Sequence, residues 1–136
     1  MHLAECTLED APRLARMNKR LIDDERSENP MGVPELEARM RSFLDGEYTA
    51  YLFIESEETV GYALVRRTVS PPYLRQFYIE REHRRRHYGQ RAFRLLLEAL
   101  GTDTMDLDVL PWNGAGRAFW KSCGLRETCV SMRYTR

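Results

Sequence analysis

The sequence lacks the features that mark membrane, secreted and metal-binding proteins. No apolar run approaches the roughly 18–20 residues that span a bilayer, and no basic start followed by an apolar stretch opens the chain. We therefore expect no membrane segment and no signal peptide. The three cysteines, Cys6, Cys123 and Cys129, are odd in number and show no C-x-x-C spacing. We expect no disulfide framework, no metal site and a cytoplasmic location.

The formal net charge is zero at pH 7, but the two halves of the chain carry opposite net charges. Residues 1–60 hold seven basic and fourteen acidic side chains, whereas residues 61–136 hold fourteen and seven. The second half therefore favours an anionic ligand and the first half a cationic one, with simple solvation of both surfaces as the alternative. Nucleic-acid-binding domains usually have a pI above about 9, so we expect no nucleic-acid partner for this neutral chain.

Strand and helix patterns alternate along 136 residues, the length of one domain. The predicted strands are Leu3–Thr7, Tyr48–Glu55, Thr59–Arg67, Tyr73–Ile79, Thr104–Leu110 and Leu125–Tyr134. The predicted helices run from about Asp10 to Asp24, from Pro34 up to Gly46, from Tyr88 to Leu100 and from Ala115 to Ser122. The order β-α-α-β-β-β-α-β-α-β predicts one α/β (α+β) domain over residues 1–136. We expect a mixed, mostly antiparallel sheet of six or seven strands flanked by about four helices.

A basic loop joins the fourth predicted strand to the third predicted helix. Its arginines are Arg81, Arg84, Arg85 and Arg86, and Arg91 and Arg94 follow in the helix. A loop that leads into a helix presents unpaired backbone N–H groups at the positive end of the helix dipole, where phosphate binds. Arginine side chains match phosphate oxygens in pairs. The segment therefore predicts a pyrophosphate and ribose-phosphate ligand, although only Gly89 is present and neither common glycine-rich nucleotide motif is complete.

Two segments resemble the signatures of the GNAT superfamily of acyl-CoA-dependent N-acyltransferases. Phe77-Tyr78-Ile79 and the loop from Arg84 to Gly89 are similar to an L-x-V strand followed by R-x-x-G-x-G. The segment NGAGRAFWKSCGL, which begins at Asn113, is similar to N-x-x-A-x-x-[FL]-Y-x-x-x-G-F. The two segments occur in the family's order, with the family's predicted elements around them.

The resemblance implies acetyl-CoA as cosubstrate and direct attack of an amine on the thioester, with a backbone N–H stabilising the tetrahedral intermediate. Loop amides would bind the pyrophosphate, the backbone of Ile79 would pair with the pantetheine arm, and Asn113 would face that arm from the other side. The full implied cofactor-binding set is Phe77, Ile79, Arg84, Arg85, Arg86, His87, Tyr88, Gly89, Gln90, Asn113 and Trp120.

The chain departs from the family pattern in three places. His87 stands where the family usually has glycine, and we expect its N–H to remain available. Trp120 occupies the position of a tyrosine that protonates the departing thiolate in many members, and an indole has no proton to donate at neutral pH. Tyr78, Tyr134 and water remain as proton donors, and we assign Tyr78. Some members have a carboxylate near the start of the fourth strand, where this chain has Arg75 and Gln76.

An acidic cluster at the end of the first helix, Asp23, Asp24, Glu25 and Glu28, lies where this fold builds its acceptor wall. We predict that Asp24, Glu25 and Glu28 bind a cationic amine and that Glu25 is catalytic, with an exposed acidic helix end as the alternative. The predicted function is acetyl transfer to a primary amine of a small molecule or peptide. The alternative is an acyl-CoA-binding regulator without turnover. A homodimer and the identity of the amine stay open.

Overall fold

A single antiparallel sheet organises the protein, whose computed structural model describes residues 1–84 and 86–136. The strands are β1 (His2–Glu5), β2 (Tyr48–Glu55), β3 (Glu58–Arg66) and β4 (Tyr73–Ile79), paired in the order β1-β2-β3-β4. The helices are α1 (Ala11–Glu25), α2 (Val33–Asp45), α3 (Tyr88–Leu100) and α4 (Gly114–Ser122), with 3₁₀ turns at Leu8–Asp10 and Arg81–His83. Strands β2 and β3 form a hairpin, and Ser56 and Glu57 both adopt positive φ at its turn, as a two-residue turn matched to strand twist requires.

Helices cover both faces of the sheet because successive strand residues point to opposite sides. In β2, Ala50 and Leu52 pack with α1 and α2, whereas Tyr51 and Phe53 pack with α3. The first core holds Leu14 and Met17 of α1 with Met40 of α2; the second holds Ala92, Phe93 and Leu96 of α3. The apolar spacing of each helix therefore decides which of its residues meet the sheet.

A bulge interrupts β4 where it pairs with β3. Leu64 lies opposite Gln76 and Val65 lies opposite Leu74, so Arg75 has no residue across from it. A bulge adds one residue to a strand and changes the directions of the side chains around it. As a result Leu74 packs in the α3 core although Tyr78, four residues later, packs in the α1–α2 core.

The predicted sheet of six or seven strands is wrong, because the described residues form four strands. Residues 104–110 make only an isolated parallel bridge, between Tyr73 and Asp106. Residues 125–134 form no strand, and Val130, Met132 and Tyr134 are 79%, 93% and 85% exposed. An alternating pattern produces a strand only where a neighbouring edge supplies hydrogen bonds and a core covers the apolar side. In the described part of the chain neither segment has such a neighbour along its length. None of the described helices combines the length and apolar character needed to cross a membrane.

Candidate active site

A cavity of about 480 Å³ opens where the end of α1, strand β4, the start of α3 and helix α4 meet. Nine of the eleven predicted cofactor-binding residues line it: Phe77, Ile79, Arg84, His87, Tyr88, Gly89, Gln90, Asn113 and Trp120. Arg86 is not part of the lining, and Arg85 lies outside the described residues. The structure therefore brings together most of the residues that two distant sequence motifs predict.

The N-terminus of α3 forms one wall of this cavity, and no side chain among the described residues caps it. His87 precedes the helix in the left-handed conformation with φ 59°, and the first turn contains no acidic residue. The backbone N–H groups of Tyr88, Gly89 and Gln90 have no acceptor among residues 1–84 and 86–136. Unpaired N–H groups at the positive end of a helix dipole form an anion site.

Helix α4 packs closely against the start of α3 at this cavity. A Cβ atom on Gly89 would lie 2.8 Å from Cε1 of Phe119, so only glycine permits this approach without movement of the ring. The Trp120 ring packs against three others, with centroids 5.0 Å from Phe77, 5.2 Å from Phe93 and 4.8 Å from Phe119. Trp120 is thus part of an aromatic wall. An indole has no proton to donate at neutral pH, so this packing role does not include that of an acid.

Ion pairs link the end of α1 to the basic loop. Arg84 donates from Nε to the carbonyl oxygen of Ile79 at 2.9 Å and from Nη2 to Asp24 at 2.5 Å, and Arg81 donates to Asp24 at 2.7 Å. Burial alone would raise the pKa of Asp24, but the Arg84 and Arg81 guanidinium groups hold that pKa below its ordinary value. Asp24 lines the cavity, yet its carboxylate already has two partners.

Glu25, the next residue, lies in a different environment. Its side chain is half-buried in the cavity wall and forms no ion pair within the described part of the chain. Burial, followed by repulsion from Asp24, raises the pKa of Glu25. The Trp112 indole donates to the backbone carbonyl oxygen of Glu25 at 3.0 Å and holds the turn before α4 against this helix end. Glu28, predicted to bind substrate with them, does not line the cavity.

Tyr78 lines the cavity from β4 and is almost completely buried. Burial, with a hydrogen bond to Glu80, raises the pKa of Tyr78 to about 12, so the phenol is protonated at neutral pH. Arg20 donates to both oxygens of Glu80, at 2.9 and 3.0 Å. Tyr134, the other tyrosine considered as a proton donor, is 85% exposed on the C-terminal segment.

The comparison with known families decides the classification. The family model described as "Acetyltransferase (GNAT) family" matches residues 15–125. The chain belongs to the GNAT acetyltransferase family. No protein with a curated description matches its sequence significantly.

Solved structures share the GNAT fold with this chain at low sequence identity. A possible acetyltransferase from Clostridium difficile 630 has a TM-score of 0.79 and 16% identity, with 99% of this chain and 96% of that chain covered. A predicted acetyltransferase from Clostridium acetobutylicum, solved with acetyl-CoA, has a TM-score of 0.74 and 17% identity over 98% and 95%. The ribosomal-protein-alanine N-acetyltransferase from Brucella melitensis biovar Abortus 2308 has a TM-score of 0.73 and 14% identity over 98% of each chain.

A larger cavity of about 1090 Å³ adjoins the first in this GNAT domain. The two share the lining residues Leu21, Glu25, Arg75, Gln76, Leu107, Asp108, Val109 and Trp120. Sequence reasoning missed one wall of the larger cavity, where Arg39 of α2 lies. One signal was available: Arg39 falls three residues after Leu36 and four before Phe43, on the helix face that carries the apolar residues.

Proposed function

We propose that this protein is an N-acetyltransferase that transfers the acetyl group of acetyl-CoA to a primary amine by direct attack. One observation carries the proposal: a single cavity joins the uncapped start of α3 to Glu25, a half-buried carboxylate without an ion-pair partner in the described residues. The first feature suits the phosphates of CoA, and the second suits an amine that must lose a proton.

In this proposal the cosubstrate lies across the cavity from α3 towards α1. The N–H groups of Tyr88, Gly89 and Gln90 bind the pyrophosphate, and Arg86 and His87 add donors at the loop. The pantetheine arm passes between Ile79 and Asn113, beside the aromatic wall of Phe77 and Trp120. The relative from Clostridium acetobutylicum that was solved with acetyl-CoA supports this choice of cosubstrate.

The chemical step needs a base and a stabilised leaving group. The amine nitrogen attacks the thioester carbonyl carbon, the C–N bond forms, and the C–S bond breaks as the thiolate of CoA leaves. We assign the amine proton to the Glu25 carboxylate, directly or through one water. Tyr78 holds its proton at neutral pH, and we assign it a hydrogen bond to the departing sulfur in place of its hydrogen bond to Glu80. Complete proton transfer from Tyr78 would be uphill, because a thiol has a pKa of about 8.5.

The test is an amine-dependent assay of thiol release with acetyl-CoA, in which mass spectrometry follows the product. The expected result is CoA release in equal amount to acetylated amine, above the rate of acetyl-CoA hydrolysis without amine. Acetyl-CoA binding without turnover of any amine in a broad panel would overturn the proposal and favour an acyl-CoA-binding regulator.

A further inference from the structure

Two arginines line the larger cavity from different elements, and neither has an acidic partner in the part of the chain that the structure describes. Arg39 comes from α2 and Arg75 from the bulge of β4. Their guanidinium carbons lie 5.4 and 4.8 Å from the centroid of the same ring, that of Phe43. Neither forms an ion pair with any carboxylate of the described residues, whereas Arg117, in the same cavity, pairs with Glu127 at 2.7 Å.

Arg39 is partly removed from water, so the absence of a carboxylate partner in the described residues costs free energy. An exposed arginine is solvated by water, but Arg39 is half-buried and its Nε atom is buried without a hydrogen-bond acceptor in the described residues. Burial, followed by repulsion from Arg75, lowers the pKa of Arg39. Buried donors without acceptors are rare in proteins because each forfeits the hydrogen bond that water would supply. An unpaired donor beside a second cation therefore points to an anion that is supplied from outside.

A buried polar network holds Arg39 in position. Its Nη2 atom donates to Oδ1 of Asn18 at 3.2 Å, and Gln76 donates to the same oxygen at 3.4 Å. The hydroxyl of Tyr62 donates to Oε1 of Gln76 at 2.8 Å. Asn18 and Tyr62 are 1% and 0% exposed, so this network is part of the core. It fixes one edge of the guanidinium group in the wall of the larger cavity.

The arginine pair opens towards the proposed reaction centre. Arg75 and Glu25 line both cavities, so the cavity that contains the two cations is continuous with the wall that contains the proposed base. Asp108, another shared lining residue, accepts a hydrogen bond from Tyr73 at 2.7 Å. The larger cavity is thus lined both by a carboxylate that can face an amine and by two guanidinium groups that can face an anion.

We propose that the acceptor is a small amine that also carries a free carboxylate, such as an amino acid or a short peptide, and that Arg39 and Arg75 bind this carboxylate. This inference rests on the proposed function and specifies its acceptor. Paired guanidinium groups recognise a carboxylate through parallel, charge-assisted hydrogen bonds. The bound carboxylate would neutralise two cations that have no carboxylate partner in the described residues, and it would direct the amine towards Glu25.

The experiment compares matched acceptors in the thiol-release assay. Glycine, β-alanine and γ-aminobutyrate provide three separations of amine and carboxylate, and each is paired with its own amide. The best acid is expected to exceed its amide by about ten- to a hundredfold in kcat/KM, because the amide leaves the arginines without an anion. The difference is expected to lie mainly in KM, since the arginines do not touch the reacting atoms.

Three variants separate the arginine pair from general effects of charge. R39M and R75Q are expected to raise KM for the acid by about tenfold or more and to change KM for its amide much less. R41Q is the matched control: Arg41 lies on the same helix, is exposed and pairs with Glu37 at 3.2 Å. It is expected to behave as the wild type. R75Q alters an exposed residue and stays informative if thermal melting shows that R39M does not fold.

One result would contradict the carboxylate site alone, and another would contradict the acetyltransferase proposal. Equal turnover of acids and amides, unchanged in R39M and R75Q, would overturn the carboxylate site and leave the acetyltransferase intact. Absence of turnover with every acid and amide, while acetyl-CoA binds, would overturn the acetyltransferase proposal itself.

Discussion

The end of α1 and the start of α3 meet at the same cavity with opposite electrostatic character. The start of α3 presents N–H groups, has no acidic residue in its first turn and follows a basic loop. The end of α1 presents carbonyl groups, has no basic residue in its last turn and carries Asp24 and Glu25. Helix dipoles add to both charges. The backbone therefore favours an anion at the start of α3 and a cation at the end of α1. The charges of the two halves of the chain agree with this, because α1 lies in the acidic half and α3 in the basic half.

Within the acidic end, two neighbouring carboxylates have different partners. Asp24 is bound by Arg81 and Arg84, which lower its pKa, whereas Glu25 has no cationic partner in residues 1–84 and 86–136 and its pKa is raised by burial. Asp24 therefore ties α1 to the basic loop, and Glu25 remains available to a ligand. A cluster of acidic residues in a sequence does not reveal this division, because the arginine partners lie 57 and 60 positions away.

The largest predicted effect comes from removal of the carboxylate at the acidic end. E25Q is expected to lower kcat about 10²- to 10⁴-fold, the usual contribution of a general base, with acetyl-CoA affinity unchanged. Glu25 acts as a base only when deprotonated, so the wild-type rate should fall as the pH drops through its raised pKa. E25Q should lose this acid limb. Steady-state kinetics across pH and calorimetry with acetyl-CoA measure both.

The control for E25Q is D23N, because Asp23 is exposed on the same helix turn and pairs with Lys19 at 3.3 Å. It removes an equal charge and should retain the wild-type rate. An acid limb that persists in E25Q would assign the base to another group.

A negative charge added at the basic end has a smaller effect, and its two measurable consequences have opposite signs. Q90E places a carboxylate in the first turn of α3, where it stabilises the helix by about 0.3–1 kcal/mol. The same charge repels phosphate and is expected to weaken acetyl-CoA binding by on the order of tenfold. Thermal denaturation and calorimetry on one preparation measure the two effects.

The matched control places the same charge at the other end of α3. Ala99 is exposed in the last turn, so A99E should lower stability slightly and leave acetyl-CoA affinity unchanged. Unchanged affinity in Q90E would show that the phosphates bind elsewhere.

The smallest effect is expected at His87. Its φ of 59° costs a non-glycine residue roughly 1 kcal/mol. Glycine removes this cost, but its greater freedom in the unfolded chain lowers the free energy of unfolding by about 0.5–1 kcal/mol. H87G should therefore change the free energy of unfolding by less than about 0.5 kcal/mol and retain acetyl-CoA binding, since the backbone N–H groups remain. Chemical denaturation measures the first quantity, and a large loss of affinity would assign the imidazole itself to the ligand.

Local patterns predicted most of the fold. The four helices and the strands β2 to β4 follow from apolar spacing and from residues such as Pro34 and Gly46, all of which act over a few residues. The sheet was overestimated because alternation at residues 104–110 and 125–134 specifies a strand only when another edge receives it. That condition depends on tertiary structure and is not encoded in either segment alone.

The candidate site divides in the same way. The proposed phosphate site was predictable, because available N–H groups at the start of α3 are a local property of a helix that follows a loop. The arginine pair was not predictable, since it depends on a bulge that turns Arg75 towards Phe43 and on burial of Arg39 beside Asn18. Each of these requires the packing of α2 and β4 to be known.

Calorimetric titration of the wild-type protein with acetyl-CoA at low ionic strength tests whether the N-terminus of α3 binds the phosphates. One-to-one binding is expected, with affinity that falls in Q90E and is preserved in A99E. Absence of binding to the wild type, or equal binding to all three proteins, would contradict the assignment of the α3 N-terminus as the phosphate site.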